Sequence, residues 1–413
     1  MTGAGPELGL FQGYGIELEY MIVDADTLDV RPIADRLIEA EHGAVLGEIT
    51  RGDFAWSNEL VRHLIELKTR SPVAELAGVA AGFSREIAHV RELLAPHGAR
   101  LLPSAMHPWM DPARELELWP HGDQEIYQAF HRIFDCRGHG WANLQSAHLN
   151  LPFASDAEFG RLHAAARALL PLLPALAASS PFVEGRHPDL LDARIEMYRT
   201  NARRIPSVTG HVVPEPVFSF ADYQALLESI YRDLAPQDPE GTLRHEWVNA
   251  RGCIARFDRM AIEIRLLDVQ ECPRADLAIA AAASLVLRAL CDPAPAHQRR
   301  LRSLDTRELA EILHATAARG GSAKIEDRAW LRAIGLADAP RTAAEVWSEL
   351  VTRHVATEAD AAEHRAALDT ILGEGCLAAR LLRRVGTRPS RDELREVYRE
   401  LADCLDHGRL FSG

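Results

Sequence analysis

The 413-residue sequence predicts an α+β fold, and three observations carry that expectation. Apolar and polar residues alternate over Gly15–Val23, Asn143–Phe153 and Ala261–Val269, the period-two mark of strands with one buried face. From about residue 298 onward the spacing is helical, as in 307–317, 343–354, 360–371 and 390–406. Four short segments also carry a polar pair at positions i and i+2, which puts both side chains on one face of a strand. Strands first and helices later is the order of an antiparallel sheet with a helical extension, not of alternating βαβ units. The expected division is a sheet-based body over 1–295 and a helical extension over 296–413.

Taken in order, Gly15–Val23 ends at a turn, Asp24-Ala-Asp. Pro72–Ala95 has its apolar residues at helical spacing: Val73, Leu76, Val79, Phe83, Ile87, Val90 and Leu94. Asn143–Phe153 stops at Pro152, and the apolar helix that follows is interrupted by Pro171 and Pro174. Residues 211–216 and 235–241 read as loops. Ala261–Val269 feeds a helix over Arg274–Cys291. Neither apolar helix reaches the roughly 20 clean apolar residues of a membrane span. Met1–Gln12 has neither the basic nor the apolar region of a leader, so no membrane association is expected.

Forty-six Lys and Arg against sixty Asp and Glu leave a formal charge of −14. That balance excludes readings built on a basic face for nucleic acid. The apolar fraction of 47% is enough for a sizeable core. Six scattered cysteines with no CxxC pair speak against a zinc ribbon or disulfide scaffold, and the expected compartment is the cytoplasm.

The four polar pairs are Glu17/Glu19 in GIELEY, Glu66/Lys68 in LIELKT, His148/Asn150 in AHLNL and Glu263/Arg265 in AIEIRLL. Any one of them fits a strand with a wet face. If all four lie in one sheet, several carboxylates, a histidine and basic groups point at the same space. Carboxylates that close repel, and a divalent cation resolves the repulsion. Carboxylate oxygen with one imidazole suits Mg²⁺ or Mn²⁺. Hard cations beside basic residues are the equipment for handling nucleotide phosphates.

At these residues the sequence resembles the glutamate–cysteine ligase type 2 family of carboxylate–amine ligases, in the glutamine synthetase-like superfamily. The resemblance is an ordered set: GYGIELEY; Glu59 through Ile65-Glu66-Leu67-Lys68-Thr69; SAMHPW with His107; AHLNL; ALAASSPFVEG; Arg194 in DARIEMY; and Glu263-Ile-Arg265. It implies a glutamine synthetase-like antiparallel sheet with a concave active-site face and helices on the other side. It further implies that Glu19, Glu59 and Glu66 hold one Mg²⁺ and that Glu17, His148 and Glu263 hold a second. Arg265 would neutralise the transferring phosphoryl, and Arg194 would meet a substrate carboxylate or phosphate. Lys68, Asn150, His107 and Arg251 would contribute to the nucleotide site.

The implied reaction is ATP-driven amide formation through an acyl phosphate between an amino-acid carboxylate and an amine, with a γ-glutamyl product as the family default and a homo-oligomer as the family habit. Two other classes stay open at this point: a small-molecule phosphotransferase on the same fold, and a non-catalytic nucleotide- or metabolite-binding relative.

Overall fold

The computed structural model describes residues 8–413; of the N-terminal stretch read for a leader, residues 1–7 lie outside it. Eight strands form one sheet: β1 (Gly15–Asp24), β2 (Glu48–Arg51), β3 (Phe54–Asn58), β4 (Leu64–Thr69), β5 (Ala99–Leu102), β6 (Ser146–Pro152), β7 (Cys253–Arg256) and β8 (Ala261–Asp268). Their order is β2-β3-β4-β1-β6-β8-β7, with β5 pairing the far end of β1. Every ladder is antiparallel. The α+β expectation of an antiparallel sheet followed by helices holds.

The alternation of β1 explains its place at the centre. Ile16, Leu18, Tyr20 and Ile22 point to one face and are at most 2% exposed. There they meet the helix Val79–Leu94, through Val79, Phe83, Ile87, Val90 and Leu94, in the main core. The alanine-rich helix Pro273–Leu290 runs through that core, buried along nearly its whole length. On the opposite face, Glu17 and Glu19 give way to Met21 and Val23, and this far end is sealed by a second apolar cluster. Leu394, Val397, Tyr398 and Leu401 of the last helix, Arg391–His407, supply its lid. One sheet face is therefore polar in the middle and apolar beyond.

The helix expected over 72–95 starts at Val79, because Tyr14 and Val73 exchange two backbone hydrogen bonds (2.8 and 2.9 Å) that draw the preceding segment onto β1. The helix expected from 360 starts at Arg365, after a short turn at Ala359–Ala361. Past residue 300 the pairing of β9 (Lys324–Ile325) with β10 (Arg341–Thr342) is the one strand ladder among the described residues. All six cysteines are buried and free, and no single described helix is long and apolar enough to cross a membrane.

The proline-broken helix Asp156–Leu169 and its continuation tie the C-terminal helices to the body. Pro171 and Pro174 lack N–H groups, so the helical ladder cannot satisfy its own carbonyls there. Side chains from beyond residue 300 donate instead: Trp330 Nε1 to the Ala168 carbonyl (2.8 Å), Thr316 Oγ1 to that of Pro171 (2.6 Å) and Trp347 Nε1 to that of Leu172 (2.9 Å). Replacing Trp330 by Phe keeps the ring and leaves a buried carbonyl unpaired. The expected loss is about 1–3 kcal/mol, read as a lower urea midpoint. An unchanged midpoint contradicts this assignment.

Candidate active site

Register brings the four polar pairs to one place. Glu17 lies opposite Lys68 on β4 and His148 on β6, Glu19 opposite Glu66, and Asn150 opposite both Gly15 and Glu263. Between Leu149↔Ile264 and Ala147↔Leu267 the ladder slips, so β8 has one residue more than β6 around His148. Such a bulge re-aims side chains at a strand's edge of regularity, and Arg265 sits in it. The resulting cavity has a volume of about 360 Å³. Glu17, Glu19, Glu59, Glu66, Lys68, His148, Arg194, Glu263 and Arg265 all line it.

The hydrogen bonds are dense. His148 Nδ1 donates to Glu17 Oε2 (2.8 Å), and its Nε2 lies 3.0 Å from Ser146 Oγ. The Ser146 amide and hydroxyl donate to Glu19 Oε2 at 2.7 and 2.9 Å. Glu66 Oε1 accepts from Ser57 Oγ at 2.7 Å and pairs with Lys68 Nζ at 3.0 Å. Asn150 Nδ2 donates to Glu17 Oε1 at 3.1 Å. Glu263 accepts from Arg265 on one oxygen and from Arg256 Nη1 on the other, at 3.1 Å.

Burial sets the electrostatics. It pushes the Glu59 carboxyl well above the usual range, and the charges of Glu19 and Glu66 add to the push. Burial and the Glu17 charge raise Glu66 to about 7. Burial also opposes charge on Glu17 and His148, but their mutual hydrogen bond and attraction win. Glu17 is held far below the carboxylate range and the His148 imidazolium persists to about 9. For Glu263, burial is overcome by Arg265 and His148, and its carboxyl is lowered. Glu59 and Glu66 are thus the two carboxyls of the site whose charge burial and neighbouring carboxylates oppose.

Two groups of donors meet the requirement for a cation. Oxygens of Glu19, Glu59 and Glu66 lie within 4.8 Å of one another, as do ligand atoms of Glu17, Glu66 and His148. The first is the trio expected from the sequence. In the second, Glu66 stands where Glu263 was expected; Glu263 is engaged by two arginines, 3.9 Å from His148 Nδ1. An oxygen-rich set with one imidazole fits Mg²⁺ or Mn²⁺, and the raised carboxyls of Glu59 and Glu66 are what a cation would settle.

Arg194 reaches the cavity as a braced side chain. Its Nε donates to Asp268 Oδ1 (2.6 Å) and its Nη2 to the Leu266 carbonyl (2.7 Å), and the pair is essentially dry. Three of the expected residues do not line the cavity, and the first of them, Asn150, stays beside it with its amide on Glu17; the other two lie deeper. His107 is 1% exposed, with Nε2 at 2.7 Å from the Leu28 carbonyl and Nδ1 accepting from the Trp109 amide. Arg251 is clamped by both Glu215 oxygens (2.6 and 3.1 Å) and by the carbonyls of Ser207 and Val208. Both hold loops together.

Sequence reasoning missed Arg256 and Arg259, which flank the turn between β7 and β8 and line the cavity. Arg259 Nη1 approaches Glu17 Oε1 at 3.7 Å. Their signal was the ARFDRM turn before the Glu263 strand, hidden because β7 is only four residues long. Also missed were Tyr127, Trp141, Tyr198 and Trp247, aromatics from separate segments that meet only in the fold.

Two measurements check this description. Glu66→Gln removes the carboxylate shared by both donor groups, so Mn²⁺ affinity measured by calorimetry should fall by roughly tenfold or more; wild-type affinity contradicts the sharing. Burial lowers His107 and His63 to about 4. An unfolded histidine titrates near 6.5, so the unfolded chain takes up protons first and stability present above that pH is lost as pH falls toward 4. The loss at pH 5 is about 2 kcal/mol per histidine. His107→Gln should flatten the fall of Tm between pH 7 and 5, and an unchanged slope contradicts the neutral, buried role.

The sequence profile of glutamate–cysteine ligase family 2 (GCS2) matches residues 14–400. An uncharacterized protein of Archaeoglobus fulgidus is 31% identical over 397 residues, covering 96% of this chain and 99% of that one. A Paracoccus denitrificans protein with the provisional name glutamate–cysteine ligase 2 is 28% identical over 282 residues, 66% of this chain and 64% of its own length. Among solved structures, a bifunctional glutathione synthetase from Pasteurella multocida superposes with a TM-score of 0.63 at 15% identity, over 96% of this chain and 53% of that one. The glutamate–cysteine ligase of Francisella tularensis, solved in complex with AMP, gives 0.57 at 14% identity, over 94% of this chain and 88% of that one. At such identities the two structures speak to the fold alone, and they share it. The chain belongs to glutamate–cysteine ligase family 2.

Proposed function

We propose that this protein is an ATP-dependent carboxylate–amine ligase that forms an amide through an acyl phosphate, with the γ-carboxylate of glutamate as its carboxylate substrate. The observation that carries the reading is the row Glu17, Glu19, Glu59, Glu66 and His148 on one concave sheet face, with Arg265, Arg256 and Arg259 beside it. Such a row has no structural use. Family membership supports the ligase class, and the AMP in the Francisella relative supports a nucleotide substrate.

In this reading Glu19, Glu59 and Glu66 would hold one Mg²⁺ and Glu17, His148 and Glu66 a second, with Glu263 next to it. Bound there, the cations supply charge neutralisation for a phosphoryl group in transfer. The chain's own part is positioning. Arg265, fixed by Glu263, offers a guanidinium to the γ-phosphoryl; Lys68, Arg256 and Arg259 offer cations to the remaining phosphates. A substrate carboxylate oxygen attacks the γ-phosphorus and ADP leaves. The amine nitrogen then attacks the acyl carbon, phosphate departs with one carboxylate oxygen, and the amine loses a proton. The Arg194–Asp268 brace keeps a fixed donor at the carboxylate side.

ADP release by the purified protein with Mg²⁺ and ATP should require both a carboxylate and an amine. Glu263→Ala should lower it by roughly a hundredfold or more while the protein stays folded by circular dichroism, since it frees the Arg265 guanidinium. A stable phosphorylated product formed from one substrate would instead make the protein a phosphotransferase. Full turnover in Glu263→Ala would end the assignment.

A further inference from the structure

The strand register orders the cavity floor along one axis. At one end stand Lys68, level with Glu17, and Arg256 and Arg259 at the β7–β8 turn. In the other direction come Glu19 level with Glu66, and then Leu64 level with Met21, where the second apolar cluster begins. The walls there are Leu60, Leu64, Tyr127, Trp141 and Leu144, every one a cavity-lining residue. Leu60 and Leu64 belong to the cluster sealed by the last helix.

We propose that this apolar end seats the organic substrates and that the amine accepted there carries an apolar or aromatic side chain. The assignment rests on the ligase reading above and narrows it. A triphosphate belongs at the end with Lys68 and the two turn arginines, because three cationic side chains for charge-assisted contacts gather there. The remaining end offers few polar groups. Arg194 stands at its border, with Nε and Nη2 committed to β8. One turn along the helix Ala193–Asn201 is Tyr198, whose buried hydroxyl lies beside the Arg265 guanidinium. These two groups can orient a carboxylate or an amine; neither satisfies a side chain beyond it.

What meets that side chain is rigid and apolar. Trp141 donates Nε1 to the Asn201 carbonyl at 3.1 Å and stacks on Phe134 with ring centroids 5.4 Å apart. Behind it His63 pins the Ala142 carbonyl at 2.8 Å. A preorganised ring loses little freedom when a ligand covers it. A small amine such as cysteine would leave these surfaces wet, whereas an apolar one covers them.

Calorimetric titration of the full chain, held with Mg²⁺ and ADP, with benzylamine, phenylalanine, leucine, alanine and cysteine tests the assignment, alongside ADP release with ATP and L-glutamate. Leucine, phenylalanine or benzylamine should bind roughly tenfold or more tighter than alanine and cysteine. Trp141→Ala and, independently, Leu144→Ala should erase that margin with less than a twofold change in ADP affinity, and Trp141→Phe should keep most of it. Cysteine or alanine binding as tightly as the larger amines overturns the proposal. So does weaker ADP binding in Trp141→Ala, which would put the adenine base on this wall. ADP release that needs no amine would sink the ligase reading, while the titration still decides what the apolar end binds.

Discussion

Everything in this molecule turns on carboxylates crowded onto one face of a sheet. Glu17, Glu19, Glu59, Glu66 and Glu263 share a cavity of about 360 Å³. Burial and mutual repulsion oppose their ionisation together. The chain answers with His148 between Glu17 and Glu19, Lys68 beside Glu66, and Arg256 and Arg265 on Glu263. That answer is incomplete at Glu59 and Glu66, whose carboxyls stay raised. A bound cation would lower those two carboxyls, and the donor atoms present would suit a hard divalent one.

The rest of the architecture holds that arrangement still. The β8 bulge turns Arg265 toward the cavity, and Asp268, a few residues on, fixes Arg194 from below. Next along the chain, Glu271 forms a fully buried pair with Arg380, which also donates to the Phe411 carbonyl at 2.6 Å. Arg380 thereby ties the C-terminal helices to the segment that follows β8, as Trp330 and Trp347 tie them to the proline-broken helix. They are part of the scaffold that positions the chemistry.

Much of this was legible in the sequence, for a physical reason. Strand periodicity is a local property, so GIELEY, LIELKT, AHLNL and AIEIRLL announced both their strands and the face their charges occupy. The sheet then needed only antiparallel register to bring Glu17, Glu66, His148 and Glu263 together. His107 and Arg251 misled because a polar residue within a family-like segment can serve a loop's carbonyls as readily as a ligand. Burial and partners decide between the two, and the sequence shows neither. The aromatic wall was illegible because Tyr127, Trp141, Tyr198 and Trp247 come from four separate segments with no shared period. Glu66 in two donor groups likewise depends on side-chain reach across β1, not on spacing.

The central claim is that this carboxylate row serves phosphoryl transfer to a carboxylate, which an amine then displaces. The most direct measurement follows the oxygen. With glutamate labelled by ¹⁸O in its γ-carboxylate, Mg²⁺, ATP and an accepted amine, the account predicts that the inorganic phosphate released carries one ¹⁸O atom and that ADP is the nucleotide product. Unlabelled phosphate, or label recovered in AMP, would contradict it.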